Sequence, residues 1–277
     1  MKAKARYDNL QTDRAQFLNV AEEATKLTLP YLIRKEDEST KGMRHLPTPW
    51  QSVGAKGVVT LASKLMLALL PPQTSFFKLQ VDESALGKDF NPEIRSELDL
   101  SFAKVERTIL EAIAASSDRV VVHQALKHLV VSGNCLIYMG PTGLKLFPLS
   151  RYVVERDGNG SILEIVTKEK ISYKLLEGQL PPEILASKGI LDDTEDTNPL
   201  DPYTKGVVDT NRNSQQDCDV YTYIKRENNR YVWHQEVSNH VLPKSYGKAA
   251  VDATPWLALR FNIVDGEAYG RGRVEEF

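Results

Sequence analysis

Cysteine is scarce: Cys135 and Cys218 are the only two in 277 residues. Two thiols make no disulfide framework, and a pair of free thiols in a reducing compartment is expected. Long apolar runs are missing as well. A membrane span needs about 18 consecutive apolar residues; the nearest run, Val58 to Leu70, is shorter and carries Lys64. The first residues, MKAKARYDNLQTDR, lack the apolar stretch and cleavage site of a secretory leader. The chain is therefore expected to remain in the cytosol where it is made, or in an assembly built there. A basic excess is absent too: 35 Lys and Arg face 37 Asp and Glu, a formal net charge of −2. Proteins that clamp nucleic acid draw their affinity from neutralising phosphates, so tight sequence-independent DNA binding is not expected. DNA passing nearby remains compatible with this charge.

The signatures of chemistry are also missing. No phosphate loop of the G-x-x-x-x-G-K-[ST] form occurs; Gly54-Ala-Lys-Gly57 resembles one only in composition and is expected to lie inside a helix. Gly270-Arg-Gly-Arg273 fails as a dinucleotide fingerprint, because Glu275 stands where the last glycine is required. There is no G-x-S-x-G elbow. His123 and His128 are five apart, about 140° around a helix, and cannot share a metal as an i, i+4 pair does. His45, His234 and His240 have no ligand partner at suitable spacing. The acidic residues 192 to 201 lack the order of a calcium loop and read as a solvated loop. Asn159-Gly-Ser161 is a formal glycosylation triplet that reads as a turn. Arg271 and Arg273 are suited to a phosphate or to acidic neighbours. No catalytic, cofactor-binding or metal-binding residue is expected.

What is present is helix grammar followed by strand grammar. Residues 6 to 33 predict a helix with Phe17, Leu18, Ala21, Ala24, Thr25 and Leu27 on one side, ending near Pro30; Arg34 to Pro47 reads as a loop. Thr48 as N-cap, Pro49 at the first position and Gln51 three residues after the cap predict a helix start. Val58, Leu61, Ala62, Leu65, Met66 and Leu69 supply its apolar stripe, and Pro71-Pro72 stops it. Phe76, Phe77, Leu79 and Val81 suggest a short strand. Asn91 and Pro92 open another helix, with Ile94, Leu98, Phe102, Val105, Ile109 and Ala112 as its stripe. Asp118 caps the next, which carries Val122, Leu126, Leu129 and Val130 and ends at Gly133. From there the period changes from 3.6 to 2. Cys135 to Met139 predicts a buried strand. Tyr152–Arg156 and Ser161–Thr167 flank Asp157-Gly-Asn-Gly160, a hairpin signal. Residues 181 to 188 suggest a short helix, and 191 to 217 an acidic solvated loop. A second hairpin, Val220–Lys225 and Tyr231–Val237, turns at Asn228-Asn229. Trp256 to Val264 reads as a strand, Asp265-Gly266 as a turn and residues 275 to 277 as a starting helical turn.

Four segments carry more than periodicity. Thr48-Pro-Trp-Gln-Ser-Val-Gly-Ala-Lys-Gly57 leads into Leu61-Ala-Ser-Lys-Leu-Met-Leu-Ala-Leu69. Gln124-Ala-Leu-Lys-His-Leu-Val-Val-Ser-Gly-Asn134, Leu149-Ser-Arg-Tyr-Val-Val-Glu-Arg-Asp157 and Asp265-Gly-Glu-Ala-Tyr-Gly-Arg-Gly-Arg-Val-Glu-Glu-Phe277 follow in order. Together they resemble the head-to-tail connectors, or portal proteins, of short-tailed phages of T7-like morphology. The resemblance implies a dodecameric ring at one capsid vertex, through which terminase packages the genome and from which it is ejected. Capsid and scaffolding proteins, terminase, tail or adaptor proteins and double-stranded DNA in transit are the implied partners; no membrane is. It implies a virion protein, assembled in the host cytoplasm, with no catalysis of its own. It also implies that residues 1–277 form the wing region, with stem, clip and crown outside them.

The expectation is thus a mixed α+β fold: a helical part over 6–134, a β-rich part over 135–264 that includes the acidic loop 191–217, and a connector over 265–277 leading toward a stem helix. Phe76, Phe77, Trp233, Trp256, Arg271 and Arg273 are candidate subunit contacts. Two rival functions follow from the residues. One is a metal-dependent phosphodiesterase built on Asp192, Asp193 and Asp196. The other is a stand-alone virion adaptor that binds through the second hairpin.

Overall fold

A computed structural model describes residues 2–33, 46–71, 74–80, 92–176, 178–181 and 217–276. The acidic residues 191–216, residues 182–188 of the suggested short helix, most of the loop 34–47, Val81 and the Asn91 cap lie outside the described residues. The fold is α+β, as the change of period predicts. Four helices, α1 (Ala3–Leu27), α2 (Val53–Leu69), α3 (Pro92–Ala115) and α4 (Asp118–Ser132), precede nine strands among the described residues.

Two antiparallel sheets form. The smaller has the order β2-β1-β9, built from β1 (Asn134–Gly140), β2 (Gly143–Pro148) and β9 (Trp256–Arg260). The larger runs β3-β4-β5-β6-β7, with β3 (Tyr152–Arg156), β4 (Ile162–Ser172), β5 (Asp217–Glu227), β6 (Arg230–Val237) and β7 (His240–Val241); β8 (Gly247–Ala250) also pairs with β6. Side-chain alternation decides what each face meets. In β1, Leu136 faces the main core, while Cys135 and Ile137 face α4. In β4, Ile165 faces that core and Val166 faces the start of α1. The core joins Ala21 and Ile33 to Leu136, Phe147, Tyr152, Ile224, Trp256 and Tyr269, so α1 and both sheets share one interior.

Both predicted hairpins form. The first closes as a tight turn in which Gly160 N–H donates to the Asp157 carbonyl (2.9 Å) and only Gly160 takes a positive φ, +80°. The second turns at Asn228, φ +54°. Gly133 ends α4 in the left-handed region, as its position predicts. An unpredicted hairpin joins β1 to β2 through Gly140-Pro-Thr-Gly143, whose residues carry a turn signal.

Several expectations need correction. Helix α2 begins at Val53, with Ser52 as N-cap, so Thr48 is no cap and Gln51 is outside the helix. Thr48 precedes a proline and is biased to extended backbone. An earlier turn would also carry Trp50, which is fully exposed and packs on nothing described. The amides of Gly54 and Ala55 therefore belong to the first turn and not to the helix interior. Helix α4 begins at Asp118, with Ser117 as N-cap, and the Asp118 carboxylate instead accepts from Leu144 N–H at 2.9 Å. No strand forms at 74–80, where the chain is irregular. The strand at Trp256 stops at Arg260. Helix α1 starts at Ala3 and ends at Leu27, before Pro30. Its start is capped from far away: Ala3 N–H donates to Glu236 Oε2 of β6 at 2.7 Å. That carboxylate complements the partial positive charge of the helix end.

The helices are layered: α1 and α4 pack on strands, and α2 and α3 lie outside them. Helix α4 covers the small sheet through Ala125 and Leu129. Helix α2 lies on α4 and the end of α1, with Val58, Ala62 and Met66 inward, one layer removed from the strands. Helix α3 touches α4 and the 74–80 segment only lightly.

Candidate functional site: a braced strap and an open helical face

Two features of the fold stand out. The first is the segment 261–276, which returns from β9 and straps the junction of α4 and β1. Asn134 organises it. Its side-chain amide donates to the Gly270 carbonyl (2.6 Å) and the Ser132 carbonyl (2.9 Å), and its Oδ1 accepts from Gly270 N–H at 2.7 Å. Phe261 N–H donates to the Gly133 carbonyl at 2.9 Å, and Asn262 pairs with Arg271 across a bridge. The Tyr269 hydroxyl accepts from Val154 N–H at 3.0 Å. The backbones approach too closely for side chains. A Cβ on Gly133, at φ +71°, would sit 2.4 Å from the Arg271 carbonyl carbon, and one on Gly272 would sit 2.3 Å from the Val131 oxygen. Only glycine tolerates both demands.

The strap carries its own charge lattice. Arg271 lies over the Phe17 ring and pairs with Glu267 at 2.6 Å and Glu275 at 3.4 Å. Arg273 pairs with Glu276. Asn262 donates to the other oxygen of Glu276 at 2.7 Å. The guanidinium of Arg271 holds the Glu267 carboxyl below the usual range. Both arginines are thus braced by acidic neighbours from their own segment.

The second feature is the outer face of α3. Its half-buried residues are Leu98, Phe102, Glu106, Leu110 and Ile113, and none of its described side chains is fully buried. Glu106 accepts from Leu79 N–H at 2.5 Å. The inward face keeps Leu98 and Phe102 of the predicted stripe and beyond them is displaced by one residue, about 100°, to Glu106, Leu110 and Ile113. Val105 (46% exposed) and Ile109 (37% exposed) face solvent, with Ala112 exposed beside them. A 24-residue helix with apolar residues on two adjoining flanks has one flank covered.

The predicted contact residues separate on this background. Phe76 is 41% exposed and meets Phe77, half-buried, edge to face at 5.1 Å. Trp256 is 5% exposed, stacks on Tyr138 at 4.2 Å and belongs to the core, so it presents no contact surface. Trp233 lies edge-on to Trp256 at 6.5 Å and is half-buried. The structure brings Arg271 and Arg273 together on the strap, away from these aromatics in sequence and contact.

Side chains of possible chemical use are committed elsewhere. Cys135 and Cys218 are free and buried; burial pushes their thiols up to about 12 and about 11, which leaves them inert. His128 is buried, and burial lowers it to about 4; His123 is half-buried and meets Ser63 of α2 at 3.3 Å. Among the described residues no three His, Cys, Asp or Glu side chains gather to hold a metal, and no helix is long and apolar enough to cross a membrane. The sequence reading also missed Arg14. It is fully buried in α1 and donates to Tyr7 Oη (3.0 Å) and to the carbonyls of Leu149 (3.2 Å) and Tyr152 (3.0 Å). Its spacing from Ala3, Tyr7 and Leu10 is the only signal that could have found it.

The described residues thus form an α+β body with an open apolar flank on α3 and a tightly braced strap. Sequence comparison identifies its family. Residues 1–277 match the family described as bacteriophage head to tail connecting protein, and the chain belongs to that family. It is similar to the portal protein of Enterobacteria phage T3, 35% identical over 99% of this chain, and to that of Escherichia phage T7, 34% identical over 99%. The portal protein of Pseudomonas phage phiKMV is 25% identical over 92%. The chain spans about half the length of these curated relatives: 48%, 48% and 47%.

Proposed function

We propose that this chain is the wing part of a portal subunit that assembles as a homo-oligomeric ring, twelve-fold as the family resemblance implies, at one vertex of the phage capsid. The ring is the conduit for genome packaging by terminase and for later ejection, and it carries the tail. Capsid and scaffolding proteins are its neighbours, and it resides in the virion after assembly in the host cytoplasm. The chain performs no catalysis; its work is shape and association. The observation that carries this reading is the match to phage portal proteins along almost the whole chain. The net charge of −2 agrees with it, because a duplex must slide past without being held by its phosphates.

Ring closure needs two different patches that meet head to tail. The solvent-facing flank of α3 supplies one, and the exposed Phe76 is a further contact position. Trp233 and the Arg271 and Arg273 segment are weaker contact positions, since their side chains are already engaged within the protomer. Electron microscopy of the purified protein tests the proposal. Annular particles are expected, and Val105→Glu with Ile109→Glu should disperse them. Globular monomers from the wild-type chain at every concentration, or turnover of a nucleotide or phosphodiester by ring-free protein, would refute it.

A further inference from the structure

Arg156 and Arg260 converge on one residue beneath the β3–β4 turn. Arg156 Nη1 donates to the Gly160 carbonyl at 2.9 Å. Arg260 Nη2 lies 2.8 Å from where a Cβ on Gly160 would stand. Both line a cavity of 410 Å³ between residues 157–160 and the loop 263–268. At about 30 Å³ per water, that volume holds a small ion together with its hydration shell.

Among the described residues the charges of the two arginines have no carboxylate partner. Neither guanidinium forms an ion pair among the described residues. Arg156 is spent structurally, donating also to the carbonyls of Ala268 and Ala258 at 2.9 Å each. Among the described residues Arg260 donates once, to the Glu267 carbonyl at 2.9 Å, and most of its five donors have no protein acceptor there. Burial, and then the charge of Arg260, disfavour the protonated form of Arg156. Three carboxylates line the same cavity, and two are occupied. Asp157 Oδ1 accepts the amides of Asn159 (3.1 Å) and Ser161 (2.6 Å). Glu267 is gripped by Arg271 at 2.6 and 3.0 Å. Asp265 is exposed at the rim.

We propose that this cavity binds one compact tetrahedral oxyanion, a phosphate or sulfate group, with Arg260 as the principal donor and Arg156 as the fixed charge behind it. A planar guanidinium with free donors suits such an oxyanion. The exposed carboxylate of Asp265 admits a small ion more readily than an extended polyanion, so free phosphate is favoured over the backbone of a duplex.

The test is thermal unfolding of the whole chain in rising inorganic phosphate at constant ionic strength, with direct binding measured by equilibrium dialysis of labelled phosphate. A saturable rise in melting temperature is expected, with sulfate equivalent to phosphate. Arg260→Gln should weaken binding at least about tenfold, while Arg107→Gln on α3 leaves it unchanged. Asp265→Asn should bind more tightly, which keeps the idea testable if the Arg260 variant folds poorly. A short duplex that displaces labelled phosphate from this site would identify the source as a nucleic-acid phosphate, with the same chemistry. No saturable binding, equal binding in Arg260→Gln, or no gain in Asp265→Asn would overturn the site.

Discussion

Val153, Val166, Val220 and Ile224 of the larger sheet are sealed from water, whereas in α3 no described side chain is. The two regions have similar apolar vocabularies and use them differently. The β-rich region spends its aromatic and branched residues internally. Tyr152 and Trp256, one from each sheet, share a core with Tyr269 of the strap, which locks onto the end of α4 through Asn134. The helical region grades outward from α4, buried against the small sheet, through α2, half covered, to α3, open along one flank. A sheet must satisfy its backbone within the protomer, but a helix satisfies its own. A helix can therefore be left partly bare for a neighbour without losing its form.

This contrast can be broken on the closed side first. Gly133→Ala forces a side chain at φ +71° into the Arg271 backbone and should cost roughly 5 kcal/mol or abolish folding; urea unfolding measures it. Arg14→Met removes the donor to two buried carbonyls and should cost about 4 kcal/mol by the same measurement.

The next effect depends on pH. His128 is neutral in the fold, with its pKa lowered from 6.5 to about 4 by burial. Below pH 6.5 the unfolded chain takes up a proton that the folded chain refuses. Stability contributed at this site is therefore full above pH 6.5 and is lost progressively as pH falls to about 4, by up to about 3 kcal/mol. His128→Leu should flatten that part of the stability profile relative to wild type. On the open side the effect on the protomer should be the smallest. Val105→Glu with Ile109→Glu should change unfolding free energy by no more than about 0.5 kcal/mol, as at solvated surface positions. A large loss there would show that the flank is covered within the chain.

The sequence made some of this plain and hid the rest for physical reasons. Local rules suffice where the signal is local. Asp157-Gly-Asn-Gly160 and Asn228-Asn229 place their hairpins, Gly133 ends its helix, and period 2 from Cys135 onward marks the strands. The start of α2 misleads because capping grammar at Thr48-Pro49 competes with the bias of pre-proline residues toward extended backbone. Helix α1 begins where Glu236, on a distant strand, supplies the cap. Arg14 is invisible because a charged residue reads as surface until three acceptors converge on it. The inward face of α3 leaves its apolar stripe after Phe102, where Glu106 turns inward to accept from Leu79 N–H. The strap was legible as residues, Asn134 with Gly133, Gly270 and Gly272, but its meaning depends on contacts 136 positions apart.

The most direct measurement is sedimentation velocity over a range of concentrations, for the wild-type chain and for the Val105→Glu, Ile109→Glu variant. An α3 flank shaped for a neighbouring copy predicts concentration-dependent association of the wild type and a variant that sediments as a 31.1 kDa monomer with unchanged stability. Identical sedimentation of the two chains, whether both monomeric or both assembled, would contradict it.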